Sequence, residues 1–110
     1  MNWNILHPRA AKKHKCFMCF RIIDKGEVYL KGSAFGEGSA WTWYECAHCE
    51  AIRKLYDIQD EDSGEYNEEM LMCWAEDAGG HDLRQLRHAA GYRMKWRTRQ
   101  GTLLPIPTAA

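Results

Sequence analysis

The chain has 110 residues, with fifteen Lys and Arg against fifteen Asp and Glu, so its formal net charge is zero. That length fits one domain with a small core, and the charge balance argues against indiscriminate nucleic-acid binding driven by net charge. No apolar run approaches the roughly 20 residues needed to span a bilayer, and the N-terminal stretch lacks a signal-peptide core, so a cytoplasmic protein with no membrane partner is expected.

The first 15 residues open with Trp3, Ile5 and Leu6 and turn basic at Arg9, Lys12, Lys13 and Lys15. They read as an arm, with Trp3 packing back on the domain and the lysines forming a solvated approach to the first cysteine pair. That pair, Cys16-x-x-Cys19, forms a knuckle. Arg21-Ile22-Ile23, the turn signal Asp24-Lys25-Gly26 and Glu27 to Lys31 predict a short hairpin. The segment from Gly32 to Ser39 is small and flexible in composition, and Trp41-Thr42-Trp43-Tyr44 predicts a strand whose two indoles share one face, roofing the metal site and core.

A helix is expected from the second pair, Cys46-x-x-Cys49, because Cys49, Ile52, Leu55 and Tyr56 fall at helical spacing and Glu50 with Lys54 forms an i,i+4 pair. Nine acidic residues and no Lys or Arg lie between Asp57 and Asp77. Within that stretch, Asp62 and Glu65 have the spacing of a helix N-terminal box, and Tyr66, Met70, Cys73, Trp74 and Ala78 mark an apolar face, with Gly79-Gly80 ending the helix. Asp82 is expected to cap a further helix carrying Leu83, Leu86 and Ala90 that Gly91 stops. Beyond it, Tyr92, Met94, Trp96 and Thr98 alternate with Arg93, Lys95, Arg97 and Arg99. Period two predicts a strand with one basic face, with helical continuation through Arg99 as the alternative. The apolar, Pro-limited end, 103–107, is a packed or partner-seeking tail.

The two cysteine pairs are separated by 26 residues. Thiolates two residues apart reach one ion from a tight turn or a helix start, so Cys16, Cys19, Cys46 and Cys49 are expected to bind one zinc in a closed structural tetrahedron. His48 replacing Cys46, or a contribution from His14, is the lesser alternative. Thioredoxin-like redox use lacks its strand–helix–strand context. The fifth cysteine, Cys73, and a reducing compartment argue against a disulfide framework. Four thiolates around a divalent ion leave two negative charges uncompensated, making the loaded chain slightly acidic.

With Cys16-x-x-Cys19, Ile23-x-Lys25-Gly26-Glu27-x-Tyr29 and Cys46-x-x-Cys49 in view, the segment 15–56 resembles a treble-clef zinc finger. Its Ile-x-Lys-Gly-Glu stretch is similar to that of poly(ADP-ribose) polymerase fingers and of fingers in small bacteriophage proteins. The polymerase fingers close their site with His-x-x-Cys where this chain has Cys46-x-x-Cys49, so their DNA-break recognition does not carry over. HNH endonucleases share the scaffold, and the stretch from Gly79 to Leu86 is superficially similar to theirs, but no histidine lies between Ile22 and Trp43 to serve as base or ligand.

The reading is therefore an α+β protein forming a single domain, 1–110. Its zinc module, 15–56, is followed by an extension, 57–110, with an acidic helix, a short helix and a basic C-terminal strand or helix. It is expected to be a non-enzymatic binding module without a small-molecule substrate. Recognition of another protein leads, as for a small accessory or inhibitory bacteriophage factor. Nucleic-acid binding through Arg84, Arg87, Arg93, Lys95, Arg97, Arg99 and the N-terminal lysines, with Trp96 or Tyr92 stacking, is the alternative. An HNH-like nuclease is the remote one.

Overall fold

The computed structural model describes residues 2–60, 62, 65–77 and 82–108. Among them are five strands, β1 (Asn2–Leu6), β2 (His14–Lys15), β3 (Ile22–Ile23), β4 (Tyr29–Gly36) and β5 (Ser39–Cys46), and three helices, α1 (Ala47–Leu55), α2 (Glu68–Asp77) and α3 (Leu83–Arg93). The architecture is α+β with antiparallel sheets. The chain divides into two compact units, Met1–Ala47 and His48–Ala110. No helix among the described residues is long and apolar enough to cross a membrane.

In the first unit the sheet order is β1-β4-β5, while β2 and β3 form a separate two-stranded ribbon. The N-terminal residues are thus an edge strand where an arm was expected, with Trp3 opposite Ala34 and Ile5 opposite Gly32. The expected hairpin also moves. Ile22 and Ile23 pair back onto Lys15 and His14, and the long hairpin is β4–β5, turning at Glu37-Gly38, both with positive φ. The small residues that read as flexible are strand because their smallness serves packing: the indole of Trp43 occupies the space a Cβ on Gly32 would take. Trp41 and Trp43 do share a face, but they pack edge-on against Trp3, with centroids 6.5 and 5.5 Å apart. Leu30 and Ala34, two positions of one strand face, are buried, as are Ile23, Met18 and Ala10.

In the second unit α1 begins at the second cysteine pair as expected, and the Glu50–Lys54 ion pair forms at 3.0 Å. Its end is a Schellman arrangement with Asp57 in the left-handed region: Ile58 N–H donates to Arg53 O at 2.9 Å, and Ile58 is buried. The expected box at Asp62 and Glu65 does not start α2. Asn67 does, its Oδ1 accepting from Met70 N–H at 3.1 Å. The buried face is Leu71 and Ala75, one position from the expected stripe, and Cys73 is exposed. Ala78, Gly79 and Gly80 lie outside the described residues.

Asp82 caps α3 as expected, accepting from Gln85 N–H at 2.9 Å. The helix runs through Gly91 to Arg93, so Gly91 is not its stop. Over 94–99 neither the expected strand nor the alternative helical continuation follows. The chain turns with Lys95 and Trp96 both at positive φ, and Trp96 N–H donates to Gly91 O at 2.8 Å. A bridge of Arg97 to Leu103 then carries the tail back along the turn. The period-two pattern fails here because its apolar members answer to different demands. Tyr92 and Trp96 are buried, whereas Met94 is exposed.

Candidate metal centre

The knuckle is built by backbone bonds that need no side chain. Cys16 N–H donates to Arg21 O at 2.9 Å and Phe20 N–H to Cys16 O at 3.0 Å, with Phe20 at φ 66 closing the turn. Phe17 N–H donates to Tyr44 O at 2.9 Å, which ties the knuckle to β5 just before Cys46. Cys46 ends that strand, and Cys49 sits in the first turn of α1, where unpaired N–H groups and the helix dipole favour thiolates.

The ligand atoms of Cys16, Cys19, Cys46 and Cys49 all lie within 4.8 Å of one another, and all four residues are buried. Cys19 Sγ is 3.9 Å from Cys46 Sγ. A tetrahedron with metal–sulfur bonds of about 2.3 Å has an edge of about 3.8 Å, and a disulfide is about 2.05 Å. The separation therefore fits a metal and excludes a disulfide, and the four cysteines are positioned to bind one ion.

Their surroundings fit thiolates. Met18 N–H and Cys46 N–H both donate to Cys16 Sγ at 3.4 Å. The indole Nε1–H of Trp96 donates to Cys49 Sγ at 3.4 Å from a side chain only 2% exposed. Arg21 is buried, and its guanidinium grips Glu27 in a two-pronged pair at 2.7 and 3.0 Å. Burial opposes that charge, but the bond to Glu27 and attraction to Cys46 outweigh it and hold the Arg21 pKa above its usual value. Glu27 also accepts from Asp24 N–H at 2.7 Å, and Gly26 supplies the positive φ the turn requires. The Lys-Gly-Glu stretch thus places a carboxylate that anchors an arginine beside the sulfur cluster.

The two histidines weighed as ligands, His48 and His14, have other partners. His48 is buried, donates Nε2–H to Leu104 O at 2.6 Å and lies 5.5 Å from the Trp96 ring. His14 stacks on Tyr44 at 4.4 Å, with Nε2 3.3 Å from Tyr29 Oη, and burial with Lys12 and Lys31 nearby holds its pKa below 6.5. His81 lies outside the described residues.

The basic set named from sequence does not share one strand face. Arg84 and Arg87 are on α3, with Arg84 lying 6.0 Å from the Tyr56 ring centroid. Arg93 donates to Ala75 O, and Arg97 to Gly101 O at 2.9 Å. Lys95 and Arg99 are exposed. Trp96 and Tyr92, expected to stack on bases, are buried, Trp96 beside Cys49. The indole at the metal centre is thus Trp96 rather than Trp41 or Trp43. Nothing in the local sequence marks it, because two consecutive positive-φ residues bring it there.

Compared with known proteins, the chain matches no family model, no curated protein and no solved structure.

Proposed function

We propose that the protein is a non-enzymatic binding module of the cytoplasm, stabilised by one zinc ion in a treble-clef arrangement and used to recognise another protein. The burial of all four cysteines carries the non-enzymatic part of this reading. A zinc enzyme keeps a coordination position for water, whereas four thiolates fill the sphere and donate enough charge to make the ion a poor Lewis acid. Zinc is favoured over other ions by the all-sulfur donor set and its spacing. A knuckle, the β4–β5 hairpin and a helix contributing the last ligand follow treble-clef order, in keeping with the resemblance to fingers of small bacteriophage proteins.

Recognition of a protein is supported by exposed apolar side chains on the three-stranded sheet. Trp3, Ile5 and Trp41 stand on one face at 51%, 43% and 42% exposure, and aromatic groups of this kind anchor protein interfaces. Nucleic-acid binding by the C-terminal basic residues loses its stacking partners with the burial of Trp96 and Tyr92.

Elemental analysis of purified protein tests the metal: one zinc per chain, lost in Cys46→Ser and kept in Cys73→Ser. Full zinc in Cys46→Ser refutes the ligand set. Capture from lysate tests the partner. A protein retained after nuclease treatment, and lost with Trp3→Ser and Trp41→Ser together, supports the reading; capture that disappears with nuclease overturns it.

A further inference from the structure

The first unit carries a second feature that the metal centre and the aromatic sheet face do not use. Register puts Leu6, Lys31 and Tyr44 side by side in one cross-strand row, on the face of the sheet opposite Trp3 and Trp41. The segment leading to β2 rises over that row, contributing Pro8, Arg9 and Lys12, and encloses an open cleft of about 520 Å³. That size lies within the range of about 300–1,000 Å³ that accommodates small organic ligands, enough for about one nucleotide and too small for a duplex.

The chemistry of the lining is two-sided. Three permanent cations, Arg9, Lys12 and Lys31, converge on it, and no lining residue is acidic. The four carboxylates of this unit are placed elsewhere: Glu27 is engaged by Arg21, Asp24 sits in the turn where its N–H donates to Glu27, Glu45 is buried opposite Leu30, and Glu37 is in the β4–β5 turn. Among the described residues neither Lys12 nor Lys31 has an ion-pair partner. Arg9 bonds Gly26 O through Nη1, leaving Nη2 available. Leu6, 51% exposed, and the half-buried, mutually stacked rings of His14 and Tyr44 supply apolar and aromatic surface next to these charges. A bare inorganic anion has no use for that surface. A phosphodiester with its base attached uses both halves, because single strands bind through cations on the backbone and flat side chains on the bases.

We propose that this cleft takes a single-stranded nucleic-acid segment, with phosphates on Arg9, Lys12 and Lys31 and a base against Leu6 and the stacked His14–Tyr44 pair. This site is distinct from the protein-binding face, and either reading can fail without the other.

Fluorescence anisotropy of the full-length, zinc-loaded protein with a labelled oligothymidylate tests it. Three contacted phosphates give an affinity that falls about 20-fold between 50 and 200 mM salt. Lys12→Glu with Lys31→Glu weakens binding at least ~10-fold at low salt and flattens the salt slope. Charge reversal at Arg93, Arg97 and Arg99 changes affinity less than about twofold. Zinc content and circular dichroism check the fold of each variant, and the single Lys12→Gln and Lys31→Gln variants give the same direction if the double reversal does not fold. Undiminished binding by these variants overturns the site. So does displacement of the strand by equimolar inorganic phosphate, or tighter binding of a phosphopeptide or of duplex DNA.

Discussion

Gly91 sits inside a helix, where replacement by alanine ordinarily stabilises by about 1 kcal/mol. The surroundings reverse that sign. A Cβ built at Gly91 lies 2.6 and 2.9 Å from two carbons of the Trp96 ring, which is 2% exposed and held by its N–H bond to Cys49 Sγ. A ring fixed in that way cannot swing aside. Overpacking costs about 1–3 kcal/mol, and two contacts on one rigid ring put Gly91→Ala in the upper half of that range. Subtracting the propensity gain leaves a net loss of about 1–2 kcal/mol, or a Tm lower by about 4–8 °C for a chain of this size. Thermal unfolding followed by circular dichroism at fixed zinc measures it. In a Trp96→Leu background the obstacle is gone, and Gly91→Ala then stabilises by up to about 1 kcal/mol. A rise in Tm for Gly91→Ala with Trp96 intact refutes the argument.

Three further outcomes are expected. Glu27→Gln leaves the Arg21 charge buried without its partner and destabilises by about 3 kcal/mol or more near neutral pH. Burial acts to raise the Glu27 pKa, but Arg21 and Asp24 N–H hold it below 4.5 in the folded state. The carboxylate's contribution is therefore full above pH 4.5 and lost as pH falls through the folded pKa, so denaturant titrations of wild type and variant converge only in acid. Asp82→Ala removes the cap of α3, costs about 1 kcal/mol and lowers amide-exchange protection in the first turn of that helix. His88 titrates below 6.5 by NMR, because burial, then Arg84 and Arg87, disfavour its charged form against the weaker pull of Asp82. Its Nδ1 lies 2.6 Å from Tyr56 Oη in a hydrogen bond, and Arg84→Gln with Arg87→Gln moves the midpoint upward.

The elements legible in the sequence are those fixed by short-range chemistry. Cysteine spacing locates the sulfur cluster, the Asp82 side chain its cap, and the 3.6-residue period the start of α1. The rest depends on partners distant in sequence. Asn2–Leu6 reads as an arm because a five-residue edge strand is defined by β4, some 30 residues away. The run from Gly32 reads as flexible because its tight packing comes from Trp43 across the hairpin. Trp96 reads as part of a basic strand because alternation over 92–99 mimics one, while the positive φ at Lys95 and at Trp96 itself has no glycine to announce it.

The bond from Trp96 to Cys49 and the bond from His48 to Leu104 impose an order in time. All four cysteines have left the ribosome's catalytic centre once residue 49 is added, but the groups that shield Cys49 and position its neighbour are made about 50 residues later. At about 5–20 residues per second, some 3–11 s separate synthesis of Cys49 from that of Leu104. Until residue 96 is added, the fourth sulfur lacks its indole donor. A metal bound before residue 96 is made therefore meets a Cys49 thiolate without the indole N–H that the folded chain supplies.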